Sequence, residues 1–266
     1  MRVRACEAKN PDTCRVHGRR FNPETGNFTP RRPLVEHQEE ASRFLFLLTD
    51  EQKKALRAYA GPAFNSITRH LYGRDVSDVE ETKKIIAVMD EAIAAYEQVG
   101  PEKERVVYRA TRLKSDELIS SPEERDRMVA ERFKVGSTVS MDGFMSTTEN
   151  PEALFDFLPD GYEDYAERPQ SALFAREKKT RESYIDMMGG DESLNNVVYE
   201  IRTTSGVPMS GFDHIQADRE QEYLLGRGKK FKVMEVIPFT GLNNPGNSST
   251  LKRRHATVVR LVEVKN

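Results

Sequence analysis

Between residues 42 and 100, apolar residues return every three to four positions, the period of a helix with one buried face. Thr49 or Asp50 can cap a helix over Glu51–Ala60. Gly61-Pro62 breaks that run, and Phe64, Ile67 and Leu71 resume it as far as Gly73. A third helix is predicted from Val79 to about Val99, with Ile85, Val88, Met89, Ala92, Ile93 and Tyr96 on one stripe, and Gly100-Pro101 ends it. After Pro101 the period shortens to two. Strands are expected over Arg105–Ala110, Thr138–Met145, Asn196–Thr203, Glu222–Leu225, Lys230–Pro238 and Ala256–Val264. The polar stretch Thr148–Leu194 is too long for a plain hairpin loop and should hold short helices or act as a functional loop. A helical lobe followed by a strand-rich one makes the fold class α+β, and no internal repeat is visible.

Residues 1–41 break this patterning. They are rich in Arg, Pro, Asn and Gly and lack aliphatic periodicity, so they read as a flexible leader to a domain over 42–266, helical over 42–100 and built of strands over 101–266. Cys6, Cys14 and His17 supply three zinc ligands where a closed structural site needs four, and His37 could be the fourth. The alternative is a tail with incidental cysteines. The stretch Cys6–Gly18 resembles short Cys/His leaders of phage and mobile-element proteins, an indication of origin rather than chemistry.

Composition narrows the classes. With 266 residues, 37% hydrophobic and 32% charged, the chain can bury a core beneath a highly charged surface. Lys+Arg at 41 against Asp+Glu at 43 gives a net charge of -2, which demands neither a nucleic-acid nor a membrane partner. The C-terminal third is locally basic (Lys229, Lys230, Lys232, Lys252, Arg253, Arg254), so a nucleic-acid acceptor stays open beside a plain solvated face. No apolar run approaches the ~20 residues that span a bilayer, and no apolar segment follows the basic N-terminus. The two cysteines fit a reducing compartment, so the expected site of action is a cytoplasm, its own or one it is delivered into.

Three segments carry candidate chemistry. In Val106–Ala110, Arg109 shares a strand face with Val107, and its fork matches a diphosphate as well as it would a structural carboxylate. In Gly143–Thr148, small hydroxyls at a strand end can orient a carboxylate or a ribose hydroxyl, or simply close a turn. In Glu220-Gln221-Glu222, period-two geometry would put both carboxylates on one face, roughly 6.5–7 Å apart. Two like charges so close should raise one pKa unless a cation or hydroxyls relieve them. A solvated acidic edge is the simpler reading, but Tyr223-Leu224-Leu225 leads straight into an apolar strand.

Together, an Arg in a strand, an aromatic-x-Ser-Thr-Thr strand and Glu-x-Glu followed by Leu-Leu-x-x-Gly-x-x-Phe-x-Val resemble the arginine–serine–glutamate class of mono-ADP-ribosyltransferases. That class holds bacterial toxins and phage enzymes related to the actin-modifying binary toxins. The resemblance covers residues 42–266 and includes the helical run from Leu48 to Leu71. It implies an ADP-ribosyltransferase fold, a helical lobe before a mixed β-sandwich core with an NAD cleft, and NAD as substrate without a catalytic metal.

It also implies roles. Arg109 would bind a phosphate of NAD, with the backbone of Ala110 near the nicotinamide carboxamide. Ser146 would hold Glu222, with Thr147 and Thr148 beside the cofactor. Glu222 would bind the 2′-hydroxyl of the nicotinamide ribose and stabilise the cationic sugar as nicotinamide leaves. Glu220 would orient an arginine acceptor. Tyr59 stands where the family has a cofactor-contacting tyrosine, and Thr68 stands where it has an Asn. Phe212 lies in the acceptor-recognition loop, with His214 a loop residue, and Phe155, Phe157, Arg168 and Arg176 compete to cover the nicotinamide. The function so implied is transfer of ADP-ribose to a protein arginine. NAD hydrolysis, a nucleic-acid acceptor and a module that binds without turnover are the alternatives.

Overall fold

The computed structural model describes residues 21–22, 27–28, 34–100, 103–112, 122–154, 196–212, 220–243 and 253–265. A short antiparallel pair, β1 (Phe21–Asn22) and β2 (Asn27–Phe28), precedes four helices: α1 (Leu34–Leu47), α2 (Asp50–Tyr59), α3 (Phe64–Leu71) and α4 (Val79–Val99). Thr49 caps α2 in a reciprocal box, its hydroxyl accepting from the Gln52 amide at 3.2 Å while the Gln52 side chain accepts from the Thr49 amide at 3.0 Å. Asp78 caps α4 by accepting from the Glu81 amide at 3.0 Å.

The helical region begins at Leu34 rather than at residue 42, and His37, Glu40 and Ala41 of α1 are buried. Apolar periodicity misses this start because two of those three residues are polar and meet charged partners inside the protein. Leu56, Ile67, Met89 and Ile93 form the core of the lobe, with Phe44 against Tyr96 (ring centroids 4.9 Å apart) and Phe212 (5.6 Å). Val207, Met209 and Leu224 join the same cluster, which seats the helices on one end of the sheet.

That sheet has eight strands in the order β4-β9-β10-β6-β3-β5-β8-β7: β3 (Arg105–Arg112), β4 (Thr138–Met141), β5 (Met145–Thr148), β6 (Asn196–Thr203), β7 (Val207–Pro208), β8 (Glu222–Leu225), β9 (Lys229–Asn243) and β10 (Arg253–Glu263). It is mixed, since β10 runs parallel to β6 and the other pairs are antiparallel. β3 pairs with β6 along its whole length but meets β5 only at Tyr108↔Thr148. Two leaves are thus continuous through a single position. They also pack face to face, because Met145, Tyr223 and Leu225 of one share a cluster with Val107, Val197, Ile201 and Val259 of the other. Leu224 points the opposite way, into the helices, so β8 is covered on both sides and its Tyr-Leu-Leu is wholly buried.

Two expectations are corrected. The single strand over Thr138–Met145 is two strands: Asp142-Gly143-Phe144 interrupt it, and β4 and β5 lie in different parts of the sheet. A helix not foreseen, α5 (Pro122–Arg132), packs on the larger leaf, where its Val129 joins the cluster shared by the two leaves. Beside Val129 and Met128 its anchors are polar, Arg125 donating to the Asn196 carbonyl at 2.5 Å and Asp126 accepting from Thr257 at 2.8 Å, so a short apolar stripe gave little warning. Gly206 lets β7 cross onto β8, as its φ of 102° and a Cβ position 2.6 Å from Leu225 Cδ2 admit no side chain. No helix among the described residues is long and apolar enough to cross a membrane.

Candidate functional site

The site forms where the two leaves join. Side chains alternate along β3, so Arg105, Val107 and Arg109 share the face turned toward the smaller leaf. Arg109 is half-buried, and its Nη1 donates to the Ser146 carbonyl of β5 at 2.7 Å. The β5–β8 register then sets Ser146 opposite Leu224, Thr147 opposite Tyr223 and Thr148 opposite Glu222.

Tyr59, at the end of α2, brings the helical lobe to the same place. Its hydroxyl lies 3.2 Å from Ser146 Oγ, and its ring meets Phe64 and Phe144 edge-on at 5.4 and 5.7 Å. Burial pushes its phenol up to about 12; the Glu222 charge pushes the same way, while the Ser146 bond and Arg109 oppose it. The phenol therefore stays protonated at any physiological pH, within electrostatic reach of both Glu222 and Arg109.

Thr147 and Thr148 are buried, and their hydroxyls bond backbone. Thr147 donates to the Tyr223 carbonyl at 2.6 Å, and Thr148 donates to the Glu220 carbonyl and accepts from the Asn150 amide at 2.8 Å. The segment they hold is not extended. Gln221 has φ 50°, left-handed backbone adopted by no other non-glycine residue among those described, and β8 starts only at Glu222. This corrects the pleated reading of Glu220-Gln221-Glu222: a turn, not strand alternation, relates the two carboxylates.

The other candidates are placed as follows. Ala110 sits opposite Val198 on β3. Thr68 is half-buried on α3, and its side chain makes no hydrogen bond among the described residues. Phe212 is 5% exposed and packs on Phe44, within the helical core rather than on an acceptor-facing surface. Cys6, Cys14, His17, Phe155, Phe157, Arg168, Arg176 and His214 lie outside the described residues. Among those described, no three His, Cys, Asp or Glu side chains form a group able to hold a metal ion.

Sequence reasoning missed a buried ionic group beside the Gln221 turn: His37 and Glu40 of α1, Arg105 of β3, and Glu149 just past β5. One signal was readable. Arg105 stands four residues before Arg109, on the same strand face, and a second inward arginine needs a buried anion.

These features define a class of protein: a helical lobe on a two-leaved mixed sheet, with an arginine, a serine and a glutamate converging from three strands. A sequence model of the ADP-ribosyltransferase exoenzyme family matches residues 35–255, and the chain belongs to that family. No curated protein matches it in sequence. Among solved structures it is similar to C2-I, the enzymatic component of the C2 toxin of Clostridium botulinum, at 16% identity and a TM-score of 0.55 over 86% of this chain and 47% of that one. It is likewise similar to Plx2a, an ADP-ribosyltransferase toxin of Paenibacillus larvae, at 15% identity and 0.55 over 88% and 98% of the two chains. BECa, from a binary enterotoxin of C. perfringens and solved with NADH, gives 13% identity and 0.54 over 88% and 50%. The chain spans about half the length of C2-I. At these identities the likeness establishes the fold.

Proposed function

We propose that this chain takes ADP-ribose from NAD and transfers it to an arginine side chain of a protein, releasing nicotinamide. The observation that carries this reading is the convergence of Arg109, Ser146 and Tyr59 at one point, within electrostatic range of Glu222. The residues fit NAD. Arg109 is only half-buried, so its remaining N–H groups can face a phosphate. Beyond Tyr108 the β5-side edge of β3 has no strand pairing among the described residues, which leaves main-chain groups around Ala110 for a carboxamide.

In this reading the bond between nicotinamide nitrogen and ribose C1′ breaks, and the electron pair leaves with nicotinamide. The positive charge left on the sugar is shared with its ring oxygen, and the Glu222 carboxylate stabilises it. Ser146 holds Glu222, while the neutral Tyr59 hydroxyl holds Ser146. The acceptor guanidine attacks C1′ from the opposite face and gives up a proton, and Glu220 accepts hydrogen bonds from that guanidine and its proton. Thr147 and Thr148 keep the turn in the conformation that presents both carboxylates. The two cysteines favour action inside a reducing cytoplasm, its own or one into which the chain is delivered, and the Cys/His leader favours a phage origin.

Labelled NAD with agmatine, a soluble guanidine, tests the proposal. Label should pass to agmatine with matching release of nicotinamide. Release without labelling would overturn the transfer and make the chain an NAD glycohydrolase, and the absence of both signals would overturn the proposal altogether.

A further inference from the structure

Glu222 is the first residue of β8, next to a residue in left-handed backbone, and such a position must be held from outside. On its N-terminal side, the Glu149 amide donates to the Gln221 carbonyl at 3.1 Å. On its C-terminal side, the Tyr223 hydroxyl donates to Glu40 Oε1 at 3.1 Å, and the Arg105 guanidinium lies 4.1 Å from the centre of the Tyr223 ring. Both clamps end in one buried ionic group. Arg105 contacts Glu40 at 3.0 Å and Glu149 at 3.5 Å, His37 Nδ1 meets Glu149 Oε2 at 2.9 Å, and the Tyr96 hydroxyl donates to Glu40 at 3.0 Å.

All four members are at most 5% exposed. Burial works against the charge of Arg105, but Tyr223, Glu40 and Glu149 outweigh it and hold the guanidinium charged. Burying such a group is weak evidence for stability, since its desolvation offsets much of its attraction. What it supplies is a fixed geometry, because Glu149 is bound from two elements at once and Glu40 from three.

We infer that the cluster His37–Glu40–Arg105–Glu149 is the positioning device for Glu222, fixing through Gln221 and Tyr223 the direction in which that carboxylate points. Glu149 and Tyr223 are its two points of grip. The inference rests on the proposed function for its kinetic consequence but not for its structural one. Half of the cluster, His37 and Glu40, comes from the part of α1 that precedes the resemblance read from the sequence.

The test uses the full chain with Glu149→Gln, which keeps the side chain's shape and leaves Arg105 its Glu40 partner, and with Tyr223→Phe, which removes one hydroxyl. Hydrogen exchange at residues 220–225 and the kinetics of nicotinamide release are measured together. In each variant that folds, exchange at 220–225 should speed about tenfold while α4 is unchanged. The kcat should fall on the order of tenfold to a hundredfold with KM for NAD within about twofold, since misdirection of Glu222 weakens the transition state rather than binding. Unchanged exchange in both variants would overturn the clamp whatever the activity, and faster exchange with unchanged kcat would overturn the positioning role. An inactive parent chain would sink the proposed function, while the exchange data still decide the clamp.

Discussion

The Arg109 guanidinium donates to the Ser146 carbonyl at 2.7 Å, beside the Tyr108–Thr148 pairing through which the two leaves of the sheet are continuous. An arginine that touches backbone on a neighbouring strand does two things. It ties the leaves together, and in the proposed function the rest of its fork meets a phosphate of NAD.

Arg109→Lys should separate those two effects. A lysine can reach one partner but cannot hold a carbonyl and a phosphate in a planar fork. The KM for NAD should rise about tenfold or more, with the thermal midpoint lowered by only a few degrees. A KM within twofold of the parent would remove Arg109 from the substrate site.

Tyr59 and Ser146 should behave as a coupled pair. Since the Tyr59 phenol is raised to about 12, it is neutral and its effect on rate should be independent of pH between 6 and 9. Tyr59→Phe and Ser146→Ala should each lower kcat for nicotinamide release about three- to tenfold, the range of a single neutral hydrogen bond. The double variant should be little worse than the weaker single, because both remove the same 3.2 Å contact. Fully multiplicative losses would show that the contact is not used.

Phe212 should matter for folding rather than for acceptor choice. It is 5% exposed and packs on Phe44. Phe212→Ala should cost about 3–5 kcal/mol in denaturant unfolding, while the ratio of agmatine labelling to hydrolysis stays unchanged at a temperature where the variant is folded. A shifted ratio with intact stability would return Phe212 to the acceptor surface.

Glu263 sets an acid limit on stability. Burial raises its pKa, but bonds from Ser205 and Thr203, the Lys229 charge and the Thr204 amide outweigh it, so the folded value lies below the ordinary 4.5. A depressed carboxylate contributes stability that is fully present above the unfolded pKa and lost as pH falls through the folded one. Glu263→Gln should lower stability at pH 7 and flatten the loss between pH 5 and 3. Parallel curves for the two proteins would exclude Glu263 as the titrating group.

Of the strands at and beside the site, β3, β6 and β8 were legible because each buries apolar residues at short range: Val106-Val107, Val197-Val198 and Tyr223-Leu224-Leu225 write their period into the sequence. Arg109 and Glu222 could be named from the motifs on β3 and β8, and Ser146 from the hydroxyl run of β5. The Gln221 turn could not, because its left-handed backbone is imposed by Thr148 and Glu149 from another strand, and no local signal marks it. Nor could the start of α1 and α5, which bury His37, Glu40 and Arg125 against partners found only in three dimensions. Period reading finds apolar faces, so a site held by buried charge is visible to it only at its apolar rim.

The central claim is that Glu222 stabilises the sugar cation as nicotinamide departs, and Glu222→Gln tests it most directly. The change removes one charge and keeps the side chain's size at the start of β8. Nicotinamide release from NAD, followed over time at saturating substrate, should fall on the order of a thousandfold, with the melting temperature within a few degrees of the parent. A variant that retains a tenth or more of the parent rate would contradict the account.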